Sequence, residues 1–106
     1  ASYDTYPVTN HHCLIIPKRH IKNYFELTGQ EIEACNYLLK KMKMEIELKD
    51  NSVKGFNIGT NSGEVAGQSI MHCHIHLIPR RKGDVENPQG GVRSVIPLKQ
   101  HYIRKV

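Results

Sequence analysis

The chain has 106 residues, a length that fits one domain over residues 1–106 and leaves little room for a second. Apolar residues make up 39% of the chain and charged residues 24%, a composition that excludes wholesale disorder. The formal net charge of +5 weakly favours an anionic partner. Because the basic residues form neither a long tail nor an aromatic-basic pattern, we expect no nucleic-acid partner.

The three cysteines, Cys13, Cys35 and Cys73, have neither the even count of a disulfide framework nor the CxxC spacing of a zinc or redox site. Each lies in an apolar stretch, where a free cysteine behaves as a small buried hydrophobe. The first ten residues lack an apolar signal core, and no apolar run approaches membrane-spanning length. We therefore expect a cytoplasmic protein with no membrane association.

The clearest predicted element is a helix over Thr28–Leu48. Thr28 and Glu31 form a capping box, the reciprocal pair that satisfies free N–H groups where a helix begins. Beyond this box, apolar residues recur at alternating spacings of three and four, which predicts the apolar face of an amphipathic helix. These residues are Ile32, Cys35, Leu39, Met42 and Ile46.

Three strands are predicted around this helix. After a loop over residues 1–10, the apolar run 12–16 ends at a proline and predicts a buried strand. Residues 55–61 alternate between two faces and predict a second strand. Residues 69–78 predict a third, stopped by a proline, and residues 82–106 are predicted to be mostly irregular. One long amphipathic helix and several strands without β-α-β alternation indicate an α+β fold, with an antiparallel sheet packed against the helix.

Residues 72–78 read His-Cys-His-Ile-His-Leu-Ile and carry the strongest functional signal. Side chains of a strand alternate between faces, so His72, His74 and His76 are predicted to project from one face, with neighbouring Cβ atoms roughly 7 Å apart. The residues between them are apolar and are predicted to face the helix. One histidine on an apolar face is usually a core residue, whereas three in register predict a functional site.

Two chemistries suit this pattern. Metal binding is one, because neutral imidazole is a common zinc ligand, but three imidazoles on a flat strand converge poorly on one tetrahedral ion. Nucleophilic catalysis is the other, because a neutral imidazole can attack phosphorus near neutral pH. The glycine-rich segment 61–68 favours phosphate chemistry, since glycines let backbone N–H groups approach an anion, although the segment is not a Walker motif.

HCHIHLI fits the motif His-φ-His-φ-His-φ-φ, and the stretch NSGEVAGQSIMHCHIHLIPR as a whole resembles the histidine-triad (HIT) family. HHCLIIPKRH is similar to the family's strand before its long helix, so the resemblance covers roughly residues 4–83. The PR-x-x-GD run at residues 79–84 resembles the fragile-histidine-triad branch of dinucleoside polyphosphate hydrolases. Asn61 is instead similar to the Hint-like phosphoramidase branch, and the choice between the branches stays open.

The resemblance implies a role for each matching residue. His74 would be the nucleophile that takes up a nucleoside monophosphate, and His72 and His76 would flank it and contact phosphate oxygens. His12 would support the triad by hydrogen bonding, and Asp4 would hold the ribose hydroxyls. The residues expected to line the phosphate site, partly through backbone N–H groups, are Asn61, Gly67, Gln68 and Ser69.

The resemblance further implies a HIT-like fold, a homodimer and an enzyme that cleaves at the α-phosphate of a nucleotide through a nucleotidyl-histidine intermediate. The implied substrates are adenine nucleotides, either dinucleoside polyphosphates or phosphoramidates. No resident cofactor or metal is expected, apart from Mg²⁺ carried by substrate phosphates. The open alternatives are a metal-binding protein that uses the histidines as ligands and a nucleotide-binding module without turnover.

Three further expectations concern the remaining parts of the chain. Family members usually carry an N-terminal strand hairpin before the Asp4 position, and this chain is expected to lack it. His72, linked to His12, is a candidate proton donor for the leaving group. The segment after Asp84 is expected to reach the active site of a partner subunit. The histidines read as surface residues without a role are His11, His20 and His101.

Overall fold

The computed structural model describes residues 1–103 and shows a four-stranded antiparallel sheet with one long helix, which confirms the predicted α+β fold. The strands are β1 (Ser2–Tyr3), β2 (Cys13–Ile15), β3 (Val53–Gly59) and β4 (Ile75–Arg81), and the helix is α1 (Gly29–Lys49). The order across the sheet is β1-β2-β4-β3, so the triad sequence runs into an inner strand. The last three residues of the predicted domain lie outside the described residues. Within residues 1–103, no helix is long and apolar enough to cross a membrane.

Helix α1 begins where the capping box predicts. The Glu31 backbone N–H donates to Thr28 Oγ1 over 3.2 Å, and the Thr28 backbone N–H donates to Glu31 Oε1 over 2.8 Å. The Arg19 guanidinium donates two further hydrogen bonds to the Glu31 carboxylate. These bonds from Arg19 and then Thr28 lower the pKa of Glu31 to about 2. The connection after β2 is therefore tied to the first turn of the helix.

The core lies between α1 and one face of the sheet. From the predicted apolar face of the helix, Cys35, Met42 and Ile46 are buried, while Ile32 and Leu39 are partly buried and pack against the core. The sheet contributes side chains that point toward the helix, and these are among the least exposed in the chain. They are Cys13 and Ile15 from β2, Ile75, Leu77 and Pro79 from β4, and Cys73 just before β4.

Strand β4 begins later than predicted, at Ile75 instead of Ser69. The reason is a lack of partners, because the pairing with β2 ends at Ile15 and the pairing with β3 ends at Gly59. A strand needs a neighbour for its backbone groups, and residues 69–74 have no strand beside them. The alternation of buried and half-buried side chains nevertheless extends back to His72.

Strand β4 also continues past Pro79, contrary to the predicted stop. Proline lacks an N–H donor and normally ends an inner strand. Here the pairing of β4 with β2 reaches only Leu77, so no β2 residue lies opposite Pro79 and no backbone N–H is needed on that side of β4. The Pro79 carbonyl on that side instead accepts a hydrogen bond of 2.7 Å from Thr9 Oγ1.

The other differences lie at the ends of elements. Residues 2–3, predicted as part of a loop, form β1 and pair with β2; two residues are too few to carry a period-two pattern. Strand β3 begins and ends two residues earlier than predicted, with a register shift between Val53 and Gly55. The C-terminal segment is mostly irregular, as predicted, but contains a short 3₁₀ helix at Gly91–Val95.

Candidate active site

The three triad histidines lie on the face of the sheet that points away from α1, as the alternation predicts. His72, His74 and His76 are half-buried, while the intervening Cys73 and Ile75 are buried on the helix side. The rings of His74 and His76 have centroids 5.2 Å apart and stand nearly perpendicular to each other, at 70°. The buried side chains between the histidines are packed tightly in the core, and this packing fixes the position of the backbone that carries the histidines.

The orientation of the His74 ring follows from one backbone contact. Its Nδ1 lies 2.9 Å from the carbonyl oxygen of His72. A carbonyl only accepts, so Nδ1 carries the proton and, in the neutral ring, Nε2 keeps a lone pair. The backbone of His74 is held in turn by Thr60, whose hydroxyl donates to the His74 carbonyl over 2.7 Å. Sequence reasoning missed Thr60, and only its position just after β3 marks it.

His12 and His76 form a hydrogen-bonded pair across β2 and β4. The Val8 backbone N–H donates to His12 Nδ1 over 3.1 Å, so His12 carries its proton on Nε2. His12 Nε2 lies 2.9 Å from His76 Nδ1 and donates to it. In neutral His76 the proton is therefore on Nε2, which is left as a donor for a ligand. His12 thus makes a hydrogen bond to a triad histidine, and its supporting role in catalysis stays a prediction.

The expected link between His12 and His72 is wrong. Strand β2 is directly paired with β4, so the imidazole of the buried His12 reaches His76, the cross-strand partner of Leu14. His72 lies before the strand and turns toward the connection after β2, where its Nε2 donates to the Pro17 carbonyl over 3.0 Å. Its ring also meets the edge of the His20 ring, with centroids 4.9 Å apart.

His76 lies in an environment that disfavours its charged form. Burial is the main cause that lowers the pKa of His76, and the neighbouring His12 and His74 lower it further. The Asp4 carboxylate opposes this change to a smaller extent. The neutral, donating form of His76 is therefore favoured at physiological pH.

Asp4 stands beside the histidine pair. Its backbone N–H donates to the His12 carbonyl over 2.9 Å, which extends the pairing of β1 and β2 by one residue. Its Oδ1 accepts from the Tyr6 N–H over 2.9 Å, and its Oδ2 lies 3.6 Å from His12 Nε2. The carboxylate is thus fixed at the β1–β2 flank of the triad, and its expected contact with ribose stays a prediction.

The glycine-rich loop is held by its own buried glutamine. Gln68 is only 3% exposed, and its Oε1 accepts from the Gly63 N–H over 2.9 Å. Its Nε2 donates to the carbonyls of Lys22 and Ile70. The Gln68 backbone N–H also donates within the loop, to the Gly63 carbonyl over 3.0 Å, so its expected contact with phosphate stays a prediction.

Asn61 lies at the triad side of this loop and lines a cavity together with Thr60 and His76. Gly67, which closes the short 3₁₀ helix Glu64–Ala66, has a φ of 93°, in the left-handed region that favours glycine. Ser69 is exposed just upstream of the histidines. The structure thus brings Asn61 next to His76, and the phosphate contacts of all four loop residues stay predictions.

Of the remaining histidines, His20 and His101 lie on the surface, as expected, whereas His11 does not. His11 is half-buried, and its Nε2 lies 3.8 Å from Asp50 Oδ2. His20 is exposed but contacts the His72 ring. His101 is exposed and lines a cavity on the triad face of the sheet.

Metal-ligating atoms converge at Asp4, His12 and His76, whose donor atoms all lie within 4.8 Å of one another. This group differs from the triad set that the metal hypothesis requires. The 2.9 Å between His12 Nε2 and His76 Nδ1 is a hydrogen-bond distance. Two nitrogens on a tetrahedral zinc ion, each about 2.0–2.1 Å from the metal, lie roughly 3.3 Å apart. The observed geometry therefore matches an N–H···N bond better than a pair of metal ligands.

Comparisons with known proteins agree with this geometry. The sequence profile described as "HIT domain" matches residues 1–83. A HIT-like protein of Methanocaldococcus jannaschii is 40% identical over 87 residues, which are 81% of this chain and 65% of that protein. The asymmetrical bis(5'-nucleosyl)-tetraphosphatase of Schizosaccharomyces pombe is 37% identical over 78 residues, or 74% of this chain and 42% of that enzyme.

The crystal structure of a HIT family protein from Bacillus anthracis has a TM-score of 0.71 and 39% identity, and the match covers 77% of this chain and 57% of that one. The sequence profile and this structural likeness show that the chain belongs to the HIT family. The chain spans 55–65% of the length of the first three curated relatives that it matches.

Proposed function

We propose that this protein is a nucleotidyl hydrolase or transferase in which His74 attacks the α-phosphate of a nucleotide. The observation that carries the proposal is the fixed orientation of His74, whose Nδ1–H is bound by the His72 carbonyl. Its Nε2 lone pair is the nucleophile. The HIT family includes hydrolases, and the yeast relative is named a bis(5'-nucleosyl)-tetraphosphatase.

The proposed reaction has two steps. His74 Nε2 forms a bond to the α-phosphorus while the bond to the leaving oxygen or nitrogen breaks, giving a nucleoside monophosphate on His74. Water then attacks the same phosphorus, the N–P bond breaks, and nucleoside monophosphate leaves while His74 is restored. A polyphosphate leaves as a stabilised anion, whereas the nitrogen of a phosphoramidate takes up a proton from solvent as its bond to phosphorus breaks and leaves as an amine. The water that attacks in the second step returns one proton to solvent.

Stabilisation of the phosphate during these steps is assigned to His76 and the loop. His76 offers Nε2–H because its Nδ1 is occupied by His12, and the loop offers the backbone N–H of Ser69, since the N–H groups of Gly67 and Gln68 donate within the loop. Donors fixed before the reaction stabilise developing negative charge without reorganisation. Asp4 lies at the β1–β2 flank beside His12, and we propose that its carboxylate accepts hydrogen bonds from ribose hydroxyls. The proposed substrates are the adenine nucleotides that the family resemblance implies, as dinucleoside polyphosphates or phosphoramidates.

The test of this proposal is capture of the covalent intermediate. Protein quenched during turnover of a substrate with a radioactive α-phosphate is expected to carry a label that is labile in acid, stable in base and mapped to His74 by mass spectrometry. His74→Ala should lose the label while keeping affinity for AMP, and His11→Asn serves as a control that keeps the label. A label on another residue, or near-normal turnover by His74→Ala, would contradict the mechanism.

A resident metal is not required by this mechanism, and Mg²⁺ would enter only with the substrate phosphates. The N–H···N bond between His12 and His76 supports this part of the proposal. Activity is expected to survive dialysis against EDTA when Mg²⁺ is added back with the substrate. Activity lost on dialysis and restored by one equivalent of zinc would favour the alternative of a metal-dependent protein.

We also propose a homodimer in the cytoplasm. Strand β3 is an edge strand, and its Ile58 side chain is 52% exposed. A groove of about 450 Å³ between β3 and α1 is lined mainly by apolar atoms of Leu39, Phe56 and Ile58. Light scattering at micromolar concentration is expected to give twice the 12.1 kDa of the chain, and a mass of one chain would contradict the dimer. The three free cysteines support the proposed location.

A further inference from the structure

The segment after β4 folds back over the triad face of the sheet. It begins at a turn held by Arg80, whose guanidinium donates to both oxygens of Asp84 over 2.8 and 2.9 Å. Further along, Arg93 donates to the Lys99 carbonyl and its guanidinium lies 4.4 Å from the centre of the Tyr102 ring. Gln89 donates to the Tyr102 carbonyl over 3.1 Å. The segment is therefore an ordered lobe with its own hydrogen bonds.

A glycine at position 90 is required for this lobe. Gly90 has a φ of 92°, and a Cβ there would collide with the carbonyl group of Gln100. The close approach of Gly90 and Gln100 brings the two ends of the lobe together. The 3₁₀ helix Gly91–Val95 that follows packs against β3, where a Cβ at Gly91 would contact Asn57.

Two neighbouring cavities lie between this lobe and the sheet. The smaller, about 340 Å³, is lined by His76, Thr60 and Asn61 on the sheet side and by Val92, Ser94 and Val95 on the lobe side. The larger, about 730 Å³, extends away from the triad to His101 and Gln100. Asn57, Ile78 and Ser94 line both, so the two cavities adjoin. Their sizes are those of small-molecule sites.

The smaller cavity lies on the opposite flank of the triad from Asp4, whereas the larger cavity also reaches Val8 and Thr9 near β2. Asp4 and Leu14 stand over β1 and β2, whereas Asn57 belongs to β3, on the other side of β4. Cross-strand partners share a face, so Leu14, His76 and Gly59 all lie on the triad side. The smaller cavity therefore adjoins the triad at His76 from the β3 side, and a separate cavity lined by Asp4 and His12 lies on the other side.

The residues that line the smaller cavity indicate what it binds. Arg80 is committed, since its Nε and Nη2 serve Asp84 and its Nη1 donates to Asn57 Oδ1 over 2.7 Å. Its charge is thus paired, which disfavours a phosphate there. The remaining lining combines apolar Ile78 with hydrogen-bonding groups such as Ser94, a mixture that suits an uncharged heterocycle with a sugar.

We propose that the smaller cavity, called the lobe cavity, binds the nucleoside of the leaving group. This nucleoside lies at the far end of the polyphosphate chain of a dinucleotide substrate. The inference rests on the proposed function and adds that the Gly91–Val95 helix determines leaving-group specificity. When the bond from the α-phosphorus to the bridging oxygen breaks, the departing nucleotide leaves from this cavity. The nucleotide on His74 stays on the Asp4 flank.

Substitution at the junction of the two cavities tests the proposal. Ser94→Trp places an indole in the cavity, and Ile103→Trp adds the same group on the exposed end of the segment. We compare kcat/KM for diadenosine triphosphate with kcat/KM for adenosine 5'-phosphoramidate, whose leaving group is a single amine. Ser94→Trp is expected to lower the ratio of the two values at least about tenfold. Ile103→Trp should leave this ratio as in the wild type.

Binding to His74→Ala protein separates this inference from the proposed function. By calorimetry, that protein is expected to bind diadenosine triphosphate more tightly than AMP, and Ser94→Trp should abolish the difference. An equal ratio of kcat/KM in wild type and Ser94→Trp, or equal affinities of His74→Ala for the two nucleotides, would overturn the lobe cavity as a nucleoside site. Wild-type protein that turns over neither substrate yet binds the dinucleotide more tightly would contradict only the proposed function.

Discussion

Residues 72–78, which run into β4, have two faces that are stabilised in different ways. On the helix face, Cys73, Ile75 and Leu77 are each exposed by 4% or less and belong to the hydrophobic core. On the opposite face, His74 and His76 are half-buried and are held by hydrogen bonds to the His72 carbonyl and to His12. The helix face contributes stability through apolar burial, and on the opposite face hydrogen bonds orient the imidazole rings.

The difference teaches that rigidity and chemistry are separable along this strand. Burial of apolar area does not depend on direction, so it fixes where the backbone lies but not how an imidazole turns. A hydrogen bond to a particular ring nitrogen fixes the orientation of the imidazole ring and also determines which nitrogen carries the proton. Substitutions on the helix face should therefore change stability, and those on the triad face should change activity.

The largest expected effect is that of His74→Ala on turnover. Loss of a nucleophile removes the covalent route, and we expect kcat to fall at least about ten-thousandfold. The free energy of unfolding should change by no more than about 0.5–1 kcal/mol, since the half-buried ring makes few core contacts. Single-turnover kinetics and urea unfolding measure the two effects. A variant that loses stability and activity in proportion would contradict the separation of the faces.

The counterpart on the helix face is Leu77→Ala. Leu77 is 1% exposed, and its truncation should lower the free energy of unfolding by about 2–5 kcal/mol. At temperatures where the variant is folded, kcat should stay within a few-fold of the wild type. The matched control is Leu48→Ala, the same truncation at a side chain that is 86% exposed. Urea unfolding should show a much smaller loss for the control, and equal losses would contradict the assignment of the core.

These two faces are what the sequence predicts best. The alternation at residues 72–78 placed the histidines opposite Cys73 and Ile75, and the capping box placed the start of α1 within one residue. Both patterns are local, since periodicity and capping are determined by residues that are close together in the chain.

The limits of β4 and the partner of His12 could not be read in this way. The strand ends depend on where β2 and β3 stop, and the continuation through Pro79 depends on Thr9, 70 residues away. His12 bonds to His76 instead of His72 because of the register of two strands distant in sequence. A short β1 and the closing of the lobe at Gly90 are likewise consequences of tertiary contacts.

A smaller effect is expected from His12, which acts on the reaction through His76. His12→Ala removes the donor to His76 Nδ1 and should lower kcat about 10–100-fold, as loss of an orienting partner does elsewhere. His12→Gln keeps an N–H donor at a similar distance and should recover part of the activity. The pH profile of kcat/KM should change shape in His12→Ala, which a purely structural loss would not produce. Unchanged kcat in a folded His12→Ala protein would show that the pair has no positioning role.

The smallest predicted effect concerns stability in acid. Burial and the neighbouring His12 and His74 lower the pKa of His76 in the folded protein below its ordinary value. As the pH falls through the range just below 6.5, the unfolded chain takes up a proton on this residue before the folded protein does. Proton uptake by the unfolded state favours unfolding, so the contribution of His76 is neutral at pH 8 and destabilising near pH 5. His76→Asn should therefore lose less stability than the wild type between pH 8 and pH 5.

The other histidines are common to both proteins, so most of their contribution cancels in the difference. Urea unfolding of the two proteins at both pH values measures it, and His11→Asn, which lies away from the triad, should behave like the wild type. A His76→Asn protein as sensitive to acid as the wild type would show that the charged form of His76 is accommodated on the triad face, and that only apolar burial distinguishes the two faces.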